Sequence, residues 1–272
     1  MDKEKFMKYG LQVKKIMFEL MKNGKSGHIG GSLSVIDILI YVNQKMISEI
    51  NSNLIYSKGH CEVALYAIYI KNRIISYSEL HKLKCFGSKL QGHPCSKQIK
   101  EIDYSAGSLG QGLSFGLGLA IAKQERGEKV YCILGDGELQ EGQVWEACLM
   151  APRLKLDNLY VIVDCNGFQL EGITLSTGIV SRMKAVWELL GWDSQIIENG
   201  HDFEMIDKAF KNAAEKTKPH VLFAKTVKGN GISFMENNCE FHGKSMNDKE
   251  IKKALDELLG GNNASTKRFF YE

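Results

Sequence analysis

Asp136 and Asn166 stand thirty residues apart in the stretch GDGELQEGQVWEACLMAPRLKLDNLYVIVDCN, and each follows a strand-like apolar run. An Asp carboxylate and an Asn amide carbonyl are hard oxygen ligands of the kind magnesium prefers. With one main-chain carbonyl they make three protein ligands, and diphosphate oxygens and water complete an octahedral shell. Gly135 and Gly137 flank the aspartate, letting the backbone approach an anion and donate N–H groups to it. A helix predicted to start near Glu141 adds the positive end of its dipole. A lone GDG is also a common turn; the specificity lies in the combination of apolar strand, GDG, helix, second apolar strand and DCN. Histidines add groups that titrate near neutrality and can act as acid, base or hydroxyl binder. Four lie in glycine-containing stretches: His28 in SGHIGG, His60 in SKGH, His93 in QGHP and His242 in FHGK. His81, His201 and His220 read as surface or packing residues.

The elements that must position these groups alternate along the chain. Phe6, Tyr9, Val13, Ile16, Met17, Leu20 and Met21 recur at helical spacing, and the helix they predict ends near Asn23-Gly24. SGHIGGSLS reads as a glycine-rich loop, Val35–Met46 as a helix, NLIYSKGH as a short strand with a polar tip, and Cys61–Lys71 as a helix. A loop then feeds the small-residue helix of AGSLGQGLSFGLGLA. Gly116 and Gly118 lower its intrinsic propensity, which predicts close packing at those positions. KVYCIL reads as a strand, Glu141–Met150 as a helix, and NLYVIVDCN as a strand apolar enough for a sheet buried on both faces. Later segments predict helices near Met183–Leu190, Phe203–Ala214 and Lys249–Leu259, and strands at DSQIIENG and HVLFAKTV. This alternation predicts an α/β fold of three layers, a mainly parallel sheet with helices on both faces. Residues 1–260 form one domain in this reading, and 261–272 a tail expected to be partly disordered. Ligands of such sheets bind beyond the carboxyl ends of the strands, and His60, Asp136 and Asn166 all fall there.

Composition narrows the class. The 272 residues are 44% hydrophobic and 25% charged, with net charge +3. That balance argues against a dedicated nucleic-acid binder. No run of about twenty apolar residues predicts a membrane span. The seven cysteines include no C-x-x-C pair, which argues against a zinc site and fits buried free thiols in a reducing, cytoplasmic compartment.

GDG followed some thirty residues later by Asn resembles the thiamine diphosphate motif. SGHIGGSLS, SKGH, QGHP, AGSLGQGLSFGLGLA, GDGELQEGQVWEA and FHGK, in this order from about residue 10 to 250, resemble the transketolase family. In particular they resemble the N-terminal, diphosphate-binding subunit of a transketolase split over two chains. The resemblance implies thiamine diphosphate with magnesium, or calcium or manganese in its place. It implies a metal held by Asp136, Asn166 and the main-chain carbonyl of Phe168. It places His60 and His242 at the diphosphate, and Gly107, Ser108, Leu109, Gly137 and Glu138 along the cofactor. His28 and His93 match the family's substrate-side histidines and complete a catalytic set with His60 and His242. Glu141 and Glu146 match cofactor-side glutamates of an acidic network that crosses the family's dimer interface. Lys228, in KTVKGNG, departs from the apolar residue usual near the aminopyrimidine.

In this family the cofactor is activated by a glutamate of a second, pyrimidine-binding domain, for which 272 residues leave no room. The resemblance therefore implies a partner subunit carrying that domain and glutamate, in an α2β2 assembly acting on sugar phosphates. A transketolase-like enzyme for a specialised sugar or natural-product intermediate is the alternative. Deoxyxylulose-phosphate synthases and the alpha subunits of 2-oxo acid dehydrogenases share the GDG but differ in flanking motifs. A non-catalytic module of the same fold would be expected to have lost part of the clamp, and every member is present.

Overall fold

The computed structural model describes residues 3–23, 27–49, 51–169, 172–174 and 180–260. The expected tail, 261–272, lies outside them. In chain order the elements are α1 (Lys3–Asn23), α2 (Ile29–Ser48), β1 (Asn53–Tyr56), α3 (Glu62–Lys71), α4 (Gln111–Lys123), β2 (Val130–Gly135), α5 (Gly142–Arg153) and β3 (Leu159–Cys165). A short hairpin of β4 (Phe168–Gln169) and β5 (Gly172–Ile173) precedes α6 (Val180–Leu189), β6 (Asp193–Ile197), α7 (Phe203–Ala214), β7 (His220–Lys225) and α8 (Asp248–Leu258). The main sheet is parallel throughout, in the order β1-β2-β3-β7-β6.

Alternation along the strands builds the three layers. Tyr131, Ile133, Tyr160, Ile162, Leu222 and Ala224 face a core shared with α1, α2, α3, α7 and α8. Val130, Cys132, Leu134, Val161, Val163, Val221 and Phe223 face the opposite core, covered by α4, α5 and α6. β2 is buried at every residue and β3 at all but its last, which explains their continuous apolar runs.

The departures from expectation lie near the strand ends. α2 begins at Ile29, not Val35, and is buried from there to Asn43. Gly30 and Gly31 serve close packing rather than a loop. A β-carbon on Gly30 would stand 2.8 Å from the Phe241 carbonyl oxygen, and one on Gly31 2.7 Å from Cys61 Sγ. On α4 the tight position is Gly112, whose β-carbon would stand 2.5 Å from Ser57 Cβ. Gly116 has only ordinary contacts and Gly118 has open space. A 3-10 turn, Gly137–Gln140, separates GDG from α5.

Candidate active site

Four parallel strands deliver the polar residues to one end of the sheet. Gly135 pairs with Asp164 across β2 and β3, so Asp136 and Asn166 leave neighbouring strands at nearly the same level. His60 follows β1, and Thr226 and Lys228 follow β7. These ends enclose a cleft of about 490 Å³ lined by, among others, His28, His60, His93, Asp136, Asn166, Phe168, Lys228 and His242. Gly107, Leu109, Gly137, Glu138 and Glu141 also reach it. Ser108 and Glu146 are exposed and lie outside the lining.

Asp136 is buried, with 3% of its surface exposed. Its carboxylate accepts hydrogen bonds from the Gly137 amide at 2.9 Å and the Gly167 amide at 2.6 Å. Burial, with the Asp164 carboxylate nearby, raises its pKa to about 6 in spite of those donors. Such a carboxylate is short of positive charge, which a bound cation supplies. Among the described residues no cluster of three His, Cys, Asp or Glu can hold a metal. An ion here must take amide, main-chain and phosphate oxygens, the donor set magnesium accepts. Asn166 and Phe168 line the same cleft and can provide the first two of these.

The amide of Asn166 is oriented from beneath. Its Nδ2 donates to Ser34 Oγ at 3.2 Å and to Asp164 Oδ2 at 3.3 Å, while Oδ1 accepts from the Phe168 amide at 3.0 Å. Asp164 is fully buried and held by Lys58, Ser34 and Thr226; the Lys58 ion pair offsets burial and keeps its carboxyl below the usual range. Glu138 reaches the cleft with its backbone turn, but its carboxylate faces inward. It accepts from Ser57, from the Gly110 amide at 2.8 Å and from the Gly135 amide at 3.1 Å. One buried side chain thereby ties together the segments that carry His60, Gly107–Leu109 and Asp136.

Three imidazoles pack against one another: His28–His60 at 5.1 Å, His28–His242 at 5.3 Å and His60–His242 at 5.5 Å between ring centroids. Burial, reinforced by surrounding cations, pushes His28 and His242 down to about 3 and His60 to about 4. All three are therefore neutral near pH 7, able to accept or donate hydrogen bonds through their ring nitrogens. The Nδ1 atom of His28 is buried and has no hydrogen-bond partner among the described residues. His93 is exposed at the rim and also lowered by burial and by His60 and Lys84. Lys228 is 1% exposed, and its Nζ lies 2.6 Å from His242 Nδ1 and 5.8 Å from the Phe168 ring centroid. Sequence reasoning singled out Lys228 only as a departure and missed Lys58, although SKGH contains it. His201 and His220 fall outside this cleft and are held by Asp37 and Asp193 respectively.

Residues 11–268 match the family described as "Transketolase, thiamine diphosphate binding domain". The chain belongs to the transketolase family. It is 35% identical over 257 residues to an apulose-4-phosphate transketolase subunit of Phocaeicola vulgatus, with 90% of each chain covered. It is 33% identical to the 6-deoxy-6-sulfo-D-fructose transketolase subunit SqwG of a Clostridium species, covering 90% of this chain and 93% of that one. Human transketolase is 36% identical over 245 residues, which are 86% of this chain and 38% of the human one. The crystal structure of Campylobacter jejuni transketolase superposes with a TM-score of 0.86 at 30% identity, covering 99% of this chain and 46% of that chain. The chain thus spans the subunit-type relatives nearly end to end and under half of the single-chain transketolases. The three-layer parallel fold is that of the family's thiamine diphosphate-binding domain, and none of the described helices is long and apolar enough to cross a membrane.

Proposed function

We propose that this chain is the diphosphate-binding subunit of a two-chain transketolase, transferring a two-carbon ketol unit from a ketose phosphate to an aldose phosphate. The observation that carries this reading is the cleft itself: an oxygen-donor clamp at one wall and neutral histidines at the other. Asp136, Asn166 and the Phe168 carbonyl would hold magnesium, or calcium or manganese. His60, His242, Lys228 and the Gly137 backbone would face the diphosphate, and Gly107, Ser108 and Leu109 the remainder of the cofactor. Bound thiamine diphosphate supplies the carbanion chemistry that breaks and makes the carbon–carbon bond. The chain's own part is to orient the reactants and handle protons at sugar oxygens, with neutral His28 as a hydroxyl binder and rim-facing His93 as the proton carrier.

A separate partner subunit would supply the pyrimidine-binding domain and its activating glutamate, in an α2β2 assembly in which Glu141 and Glu146 border the interface. The coverage pattern supports this: relatives named as subunits match in length, and single-chain transketolases are more than twice as long. The pentose phosphate pathway and a cytoplasmic location belong to the same proposal. A second reading, a specialised sugar as substrate, is favoured by the names of the relatives, which act on apulose 4-phosphate and 6-deoxy-6-sulfo-D-fructose.

The test is ketol transfer from xylulose 5-phosphate to ribose 5-phosphate with thiamine diphosphate and magnesium, by this chain alone and mixed with the neighbouring gene's product. Activity in the mixture alone supports the proposal, and activity of this chain by itself overturns the shared site. Silence in both, with cofactor still bound by the mixture, selects the specialised-sugar reading.

A further inference from the structure

Glu62 opens α3 two residues after His60, and none of the chemistry above uses it. Its side chain is fully buried. The Lys84 ammonium lies 3.0 Å from its Oε1, yet among the described residues neither carboxylate oxygen has a well-formed hydrogen bond. A buried carboxylate is costly unless a cation stays beside it, and burial pushes the Glu62 carboxyl up to about 8 in spite of the Lys84 ammonium, so any charge it carries depends on Lys84 being held in place. Lys84 sits in a left-handed backbone conformation (φ 55°), and its amide donates to the Leu90 carbonyl at 2.8 Å. The end of its side chain packs on Gly92, where a β-carbon would stand 3.4 Å from Lys84 Cε. Gly92 directly precedes His93. One turn further along α3, the Tyr66 hydroxyl lies 3.0 Å from the Gln91 carbonyl oxygen and 3.3 Å from that of His93. The His93 ring itself is exposed and makes no hydrogen bond among the described residues. Its place over the cleft is therefore decided by the loop that carries it.

We propose that Glu62 and Lys84 are positioning residues, a buried carboxyl–ammonium contact that clips the loop of residues 84–93 to α3 and holds the His93 imidazole over the cleft. The pair acts through His93 and touches neither cofactor nor sugar. The activity readout rests on the transketolase reading; the geometry does not.

The test, run above pH 8 where the Glu62 carboxyl gives up its proton, uses Glu62→Gln, which keeps the side-chain shape and removes that charge, and Lys84→Met, each alone and combined with His93→Ala, in the assembled two-chain enzyme. Glu62→Gln should lower kcat/KM on the order of tenfold, as displacement of a positioned group does, with cofactor affinity unchanged. In the His93→Ala background that loss should vanish, since residues acting through one another are non-additive. A full loss in that background, or a fall in cofactor affinity equal to the fall in turnover, overturns the proposal. Histidine-selective NMR of the full chain needs no turnover. Lys84→Met should shift the His93 ring resonances and raise its protonation midpoint, because a nearby cation is removed. An unmoved His93 overturns the proposal. If the parent enzyme shows no ketol transfer while His93 responds as stated, the functional reading fails and the clip stands.

Discussion

Asp136 meets two opposed demands: burial disfavours its charge, and the proposed metal site requires it. Asp136→Ala should therefore weaken magnesium-dependent cofactor binding in the assembled enzyme by no less than about a hundredfold, the upper end of what outer-shell partners of a metal cost. Isothermal titration calorimetry with thiamine diphosphate checks this, and binding at parent affinity would remove Asp136 from the clamp. The histidines make a second prediction, about protons. Burial penalises an imidazolium, so His28 and His242 take up a proton only as pH falls toward about 3, well below the ordinary value near 6.5. Both rings should remain neutral from pH 8 down to about 5 in an NMR titration of the cofactor-free chain. Any acid limb of the rate profile above that pH then belongs to other groups. A His28 midpoint near 6.5 would contradict the packing of the three rings.

The polar groups are brought together by how strands and helices end. Apolar runs before GDG and before DCN announced β2 and β3, because a sheet covered on both faces leaves no room for polar side chains there. The residues just past those runs were legible for the same reason. What the sequence hid was packing between elements. The start of α2 lay concealed in SGHIGG, since glycines that permit contact with Phe241 and Cys61 look, in one dimension, like a loop. Lys58 and Asp164 were hidden too: their pairing spans 106 residues, and no local pattern reports it. Gly112 illustrates the point and yields a test. It lets α4 lie against Ser57 at the end of β1, with the Ser57 α-carbon 3.1 Å from where a β-carbon would sit. Because Ser57 and Gly110 both bond Glu138, Gly112→Ala should displace the His60 and Gly107–Leu109 segments together. Overpacking of about 1–3 kcal/mol should lower Tm by roughly 2–12 °C in differential scanning calorimetry, with weakened cofactor binding. Gly118→Ala, facing open space, should leave both unchanged, and equal effects at the two positions would refute the assignment.

At the scale of the whole molecule, the described residues enclose the cleft only in part. Leu109 lines it and is 37% exposed, and beside it α4 and α5 present Phe115, Ile121, Leu149 and Met150 at 41–53% exposure. α4 packs against α5, and exposed apolar side chains on such a paired surface make it a candidate interaction site. Cofactor affinity depends on how much of the ligand is enclosed, so the isolated chain should bind thiamine diphosphate weakly and the assembly tightly. Phe115→Asp should separate folding from assembly. The side chain is already in water, so the Tm of the isolated chain should change little, as is usual for surface positions. If this face docks the proposed partner, a buried unpaired carboxylate would replace an apolar anchor, and co-elution with the partner subunit should be lost along with ketol transfer. Size-exclusion chromatography with light scattering reads both states of the mixture. If the Phe115→Asp chain still forms the full assembly, the partner docks elsewhere, and the apolar face of α4 and α5 needs another explanation.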